Sequence, residues 1–293
     1  MTTYHLLLAV FFTKSLAQEY VTFIEGHADS KIILSAPHGG SLIPEGSQAR
    51  EAGCMGPEGC IYTFNCGEID PTNCGVTTVK DLNTAELAIE LREFLCDISV
   101  CPALVMNNLH RTRLDPNREI NEAAFGVPEM EEAYNDYMGY LEEAQTSLKT
   151  RGLVLDLHGH GHAIQRAELG YLILASQLNN DDLDPSDSSI QRLYEDHQVS
   201  FEEMLRGETS LGGYMEAAGL AAIPTPLDPK PLNDAYFTGG YITRYYGSRY
   251  DSSTAPTDAI QIECSSDQRS DEERPEFVEA LGGAVVDFVQ QYY

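Results

Sequence analysis

Apolar runs that stop abruptly at polar residues divide this chain into elements. Lys31–Ala36 (KIILSA) closes on Pro37-His38-Gly39-Gly40, which predicts a buried strand feeding a tight loop. Ala103–Met106 predicts a second strand. Leu153–Leu157 (LVLDL) predicts a third that runs into His158, Leu169–Ala175 (LGYLILA) a fourth, and Ala259–Cys264 (AIQIEC) a late fifth. Between the strands the apolar spacing becomes helical. Leu82, Leu87, Leu91, Phe94 and Leu95 predict a helix over Leu82–Leu95. Glu129–Leu148 predicts an acidic helix with Tyr134, Tyr137 and Leu141 on one side, and further helices are predicted at Ile190–Leu205, Leu211–Ala218 and Glu276–Gln290. Strands alternating with helices argue for an α/β fold with a largely parallel sheet, whose chemistry belongs at the C-terminal ends of the strands. Gly39–Lys80 has little periodicity. Asn179–Ser189 is a turn-rich acidic stretch without the Gly and terminal Glu of a calcium loop, so it is taken as solvated surface.

Composition narrows the partners. With 18 Lys+Arg against 46 Asp+Glu the 293-residue chain carries a formal net charge of −28, which argues against nucleic acid or an anionic membrane as partner. No run of about 18 apolar residues offers a membrane span. Leu6–Phe12 (LLLAVFF) followed by Ser15-Leu16-Ala17 has the layout of a secretory signal cleaved after Ala17, although its first residues lack Lys and Arg. This predicts a signal peptide at 1–17, a catalytic domain at 18–293 and an extracellular location.

Seven cysteines fit that location. Cys54, Cys60, Cys66 and Cys74 crowd a Gly/Pro/Asn-rich loop at 54–74, with Cys96, Cys101 and Cys264 beyond it. In a secreted chain they predict disulfides, and local pairs are expected: Cys54–Cys60, Cys66–Cys74 and Cys96–Cys101, leaving Cys264 free. A zinc knuckle is disfavoured because no Cys-x-x-Cys occurs, and no N-glycosylation sequon is present.

Four segments carry candidate chemistry, each following or ending a predicted strand. His38, followed by two glycines, allows close approach of a ligand or metal. In Asp156-Leu157-His158-Gly159-His160-Gly161-His162 three histidines alternate with glycine; imidazole is a good zinc ligand, small neighbours leave room, and Asp156 is placed to orient a ligating ring. His110–Glu119 (HRTRLDPNRE) gathers three of the chain's few cations, a pattern suited to holding a carboxylate or to a local ion-pair network with Asp115 and Glu119. In Ile260–Glu263 the alternation sets Gln261 and Glu263 on one face, and a buried Glu there could act as a general base. No HExxH helix, GxSxG elbow or Walker loop occurs.

Taken together, SAPHGGSLIPE (35–45), DLNTAELA (81–88), HRTRLDPNRE (110–119), LVLDLHGHGH (153–162), FTGGYITRYYG (237–247) and IQIE (260–263) resemble, in order, the N-formylglutamate amidohydrolase family. The resemblance implies a single-domain α/β fold, a mixed sheet flanked by helices of the phosphorylase/hydrolase-like, zinc carboxypeptidase-like type. It implies a Zn2+-dependent hydrolase that cleaves the amide bond of an N-acyl amino acid, acting on a small-molecule or short peptide substrate with a free carboxylate. His38 and His158 match the family's zinc-ligand histidines. The third ligand falls to Asp81 or Glu45, with Asp81 favoured; the carboxypeptidase pattern has a Glu three residues after its His, where this chain has Ser41. Asn117 and Arg118, assisted by Arg111 and Arg113, correspond to the substrate-binding positions, and Glu263 to the base that also returns the proton to the leaving amine. A metallocarboxypeptidase or peptidoglycan-type peptidase, and a non-catalytic binding protein, are the alternatives.

Overall fold

The computed structural model describes residues 19–67, 74–249 and 256–293; the predicted signal segment lies outside them. Nine strands occur among these residues: β1 (Val21–Ile24), β2 (Ile32–Ala36), β3 (Cys54–Gly56), β4 (Gly59–Ile61), β5 (Ala103–Asn107), β6 (Gly152–Gly159), β7 (Ala167–Gly170), β8 (Ala222–Ile223) and β9 (Thr257–Cys264). Seven form one sheet in the order β1-β5-β2-β6-β9-β7-β8, and β3 pairs with β4 in a separate hairpin. The centre, β5-β2-β6-β9, is parallel as the alternation of elements predicts. The edges are not: β1 runs antiparallel to β5 and β7 antiparallel to β9, so the sheet is mixed.

Helices α1 (Thr84–Asp97), α2 (Ile120–Ala124), α3 (Pro128–Ser147), α4 (Ala175–Asn180), α5 (Gln191–Asp196), α6 (Phe201–Arg206), α7 (Leu211–Ala217), α8 (Tyr241–Tyr246) and α9 (Arg274–Tyr292) flank the sheet. Strand alternation sorts two cores. Leu153, Leu155 and Leu157 of β6 join Ile260 and Ile262 of β9 against Leu87 and Leu91 of α1 and Phe277 and Leu281 of α9. Val154 and Ala259 face the other way, against Tyr137 and Leu141 of α3. Along that second face β6 continues with Asp156 and His158, and β9 with Gln261 and Glu263. The face is therefore apolar at its base and polar at the strands' C-terminal ends, where the site lies.

Two expectations need correction. Leu169–Ala175 is not one strand: β7 stops at Gly170, where a Cβ would sit 2.5 Å from the Gly239 backbone nitrogen, and Leu172 follows at φ 66°. The run is buried only as far as Ile173, as irregular core crossed by the 238–240 segment, and Leu174 is exposed. Ile190–Leu205 is two short helices rather than one, the second started afresh by Ser200, whose hydroxyl accepts from the Glu203 N–H. Within the acidic 179–189 stretch Pro185–Asp187 forms a 3₁₀ turn capped by Asp184.

The disulfides depart from local pairing. Cys54 bonds Cys66 and Cys60 bonds Cys74, while Cys96–Cys101 is as expected and Cys264 is free and buried. The hairpin explains the difference. Antiparallel pairing sets Met55 opposite Cys60 and Cys54 opposite Ile61, so Cys54 and Cys60 fall on different cross-strand pairs and each reaches out to the returning chain instead.

Candidate functional site

The ends of β2, β6 and β9 and the loop before α1 bring four distant residues together. His38 lies just past β2, His158 near the end of β6, Asp81 ahead of α1, and Glu263 on β9 in register with His158. One carboxylate oxygen, Asp81 Oδ2, lies 3.2 Å from His38 Nδ1 and 3.3 Å from His158 Nδ1, and it accepts the Gly159 N–H at 3.1 Å. The two rings are 4.7 Å apart, edge to face. The donor atoms of these three residues all lie within 4.8 Å of one another. Glu45, the other candidate ligand, is exposed and outside the cavity.

Each histidine is held from behind. His38 Nε2 bonds Asp115 Oδ1 at 2.6 Å, and His158 Nε2 bonds Asp156 Oδ2 at 2.8 Å. Both carboxylates are fully buried and supported in turn. Ser35 donates to Asp156 and lies within hydrogen-bond distance of the Tyr137 hydroxyl of α3; Arg111 donates to Asp115 at 2.9 Å. With Nε2 committed to a carboxylate on each ring, both Nδ1 atoms face Asp81. That is the arrangement that fixes the orientation of a metal-ligating imidazole. Two imidazole nitrogens and a carboxylate oxygen, all three residues lining the cavity, form a donor set that fits a divalent cation of the zinc type.

The charges follow from this geometry. Burial alone would raise the Asp81 carboxyl, but His38 and His158 outweigh it and hold it well below the ordinary range. Asp115 is depressed in the same way, burial being overcome by His38 and then Arg111. For His158, desolvation is outweighed by Asp156 and Asp81, which push the imidazole well above its usual value. Glu263 has no such partner. Burial, reinforced by the neighbouring carboxylates Asp81, Glu168 and Asp156, pushes it up to about 7 despite His158, and Gln261 Nε2 donates to it at 2.9 Å.

The cationic stretch divides. Arg118 lines the cavity and is about one-third exposed; it donates to Glu122 and to the Asn117 carbonyl. Arg111 also borders the cavity, but it is engaged with Asp115, the Val79 carbonyl and Asp81. Asn117 spans β6 and α8: its Oδ1 accepts the Ile242 N–H, and its Nδ2 lies 3.3 Å from His158 Nε2. Arg113 points elsewhere, bonded to Ser47 and Thr112 and outside the cavity lining.

Other residues in the site carried little sequence signal. Arg50, 2 % exposed, donates to the carbonyls of Thr77, Arg111 and Glu122 and lies 3.7 Å from Asp115. Arg269 donates to the carbonyls of Leu82, His160 and Cys264, tying the Asp81 loop to the ends of β6 and β9. It also revises the reading of the histidine–glycine run: a Cβ on Gly159 would sit 2.3 Å from the Arg269 guanidinium carbon, so this glycine makes room for an arginine. The cavity itself is about 740 Å³ and is lined additionally by Val79, Leu82, His160, His162 and Phe237.

No protein-family model and no curated protein matches the chain. Solved structures do. An N-formylglutamate amidohydrolase from Ralstonia eutropha superposes with a TM-score of 0.50 at 11% identity, covering 94% of this chain and 98% of that one. The chain shares the fold of that amidohydrolase. A gene product from Agrobacterium tumefaciens aligns over 92% of this chain and 94% of its own at 13% identity, with a TM-score of 0.48. The N-formylglutamate amidohydrolase fold is thus the architecture expected from the sequence, reached with very different residues.

Proposed function

We propose that this chain is a secreted, zinc-dependent amidohydrolase that cleaves the amide bond of an N-acyl amino acid. One observation carries the reading: His38, Asp81 and His158 meet at one point, each imidazole braced by its own buried carboxylate, with the buried Glu263 in the same cavity. A divalent cation held by these three would supply Lewis acidity, polarising the scissile carbonyl and acidifying water. Glu263 takes the proton of the attacking water. Its raised pKa suits that task, because a base near the working pH both accepts and releases a proton readily. Arg118 leaves a terminal nitrogen for the substrate carboxylate, and its bonds to Glu122 and the Asn117 carbonyl fix its direction. Arg111 acts through Asp115 and Asp81, holding the His38 side of the site. The three disulfides favour an oxidising compartment.

A cavity of about 740 Å³ exceeds what a formyl amino acid fills, which keeps a short-peptide substrate as the second reading. Metal quantification on the purified protein, run with hydrolysis of N-acyl amino acids beside short peptides, tests both. The expected result is one zinc per chain and turnover of N-acyl amino acids; preference for peptides selects the peptidase, and metal without turnover of either selects a binding protein. His158→Ala should lose both metal and hydrolysis. A fully active, metal-free His158→Ala protein overturns the proposal.

A further inference from the structure

A second histidine–carboxylate unit stands in the same cavity. His162 Nδ1 lies 2.7 Å from Glu168 Oε1, and the other oxygen, Oε2, accepts the Phe237 N–H at 2.8 Å. The Phe237 ring stacks on the His162 ring at 4.7 Å and 12°. One buried carboxylate therefore fixes both the imidazole and the aromatic plate that lies on it. Glu168 is also the Cα partner of Glu263 across β7 and β9. Directly opposed residues of an antiparallel pair project to the same side of the sheet with Cβ atoms roughly 5 Å apart. The imidazole is thus one hydrogen bond removed from a residue standing beside the general base.

This cluster is not a second metal centre, although His160, His162 and Glu168 gather closely. The Arg166 carbonyl can only accept, so His160 Nε2 carries a hydrogen and donates it at 2.8 Å. His160 Nδ1 then accepts the His162 N–H at 3.1 Å, and both nitrogens are used. Burial lowers the His160 pKa, in keeping with a neutral ring. His162 differs. With Nδ1 bound to Glu168, Nε2 is the ring nitrogen left for a reacting group. His162 lines the cavity with its side chain about a quarter exposed, within reach of solvent protons.

We infer that His162, oriented by Glu168 and Phe237, is the proton donor to the leaving amine. This rests on the amidohydrolase reading and reassigns a step that the sequence left with Glu263. Glu263 removes one proton from the attacking water. As the carbon–nitrogen bond breaks, its electron pair stays on nitrogen, which takes the Nε2 proton of the His162 imidazolium. His162 is left neutral and regains a proton from solvent; Glu263 returns its own to solvent, so the net reaction is hydrolysis alone. A group held by an orienting carboxylate on one nitrogen and acting through the other is a recurrent solution for an acid–base histidine.

A matched substrate pair tests this: one acyl group carried on an α-amino acid, a poor leaving group, and the same acyl group on nitroaniline, a good one. His162→Gln should lower kcat/KM on the amino-acid amide about 100-fold and on the nitroanilide less than about 5-fold, because a good leaving group needs no acid. Glu168→Gln should show the same selectivity with smaller losses. Equal losses on both substrates would overturn the assignment and return the step to Glu263. The parent reading fails differently: Glu263→Gln would then leave both hydrolyses intact. Nitrogen-15 NMR of the metal-free protein gives a readout independent of turnover. His162 should carry its hydrogen on Nδ1, and Glu168→Gln should abolish that preference; a neutral ring protonated at Nε2 would also overturn the proposal.

Discussion

The site is built from two regions of different construction. His38, His158 and Glu263 sit at the ends of three adjacent parallel strands, and their spacing is set by sheet register. Asp81, Arg111, Asn117 and Arg118 sit on loops, and their positions depend on side-chain tethers. Arg50 and Arg111 bind the carbonyls of Thr77 and Val79, Arg269 binds that of Leu82, and the Cys60–Cys74 disulfide closes the segment that leads into Asp81. A sheet distributes positional control over many backbone bonds. A loop concentrates it in a few polar contacts, so single substitutions should act more locally there.

The largest effect is expected on the strand side. Glu263→Gln should lower kcat by about 10²- to 10⁴-fold while leaving metal content unchanged; loss of the metal together with activity would mean that Glu263 acts as a ligand instead. Next come the braces. Asp115→Asn and Asp156→Asn should each weaken metal binding about 10- to 100-fold, measured by competition with a chelator. Asp115→Asn should be the more damaging, since Arg111 and Arg50 then lose their buried carboxylate, whereas Ser35 can still bond an amide at 156.

A smaller effect belongs to the loop. Replacing Cys60 and Cys74 together by Ala opens a closure of sequence separation 14 and should destabilise the protein by about 2–4 kcal/mol in denaturant unfolding. Activity per folded molecule should fall only several-fold. A total loss of metal in that variant would show that the loop, and not its tethers, places Asp81.

The finest distinction is in pH. The metal-free folded protein holds the Glu263 proton up to about 7, against an ordinary 4.5, so this group stabilises the fold at low pH and the contribution is lost as pH rises through that interval. Metal-free Glu263→Gln should therefore exceed its parent in stability at pH 8 by about 1–3 kcal/mol and match it at pH 4. With metal bound, the nearby cation lowers this pKa, and the acid limb of kcat/KM should fall below 7.

What was legible in the sequence follows the same division. His38, His158 and Glu263 each end an apolar run, and a run followed by a polar residue signals a strand end directly. The parallel centre of the sheet was legible for that reason. Its antiparallel edges were not, because β1 and β7, four residues each, are too short to show alternation. Arg50 and Arg269 gave no signal, since a buried arginine is placed by carbonyls remote in sequence. The disulfide pairing failed for the same kind of reason: Cys60 finds Cys74 only once β3 and β4 have folded back on each other. Arg111 and Arg118 stood out as cations, but their different duties depend on which carboxylates lie near them in space.

β6 and β9 run in step for eight residues, from Gly152 beside Thr257 to Gly159 beside Cys264. Such a frame tolerates substitution but not a change in length. One residue inserted between Ile260 and Glu263 would rotate the carboxylate into the layer occupied by Leu87 and Phe277, whereas extra residues near Cys66 would leave the frame untouched. Variation in chain length among descendants of this molecule is thereby confined to the connections, and the strand interiors can change only in kind.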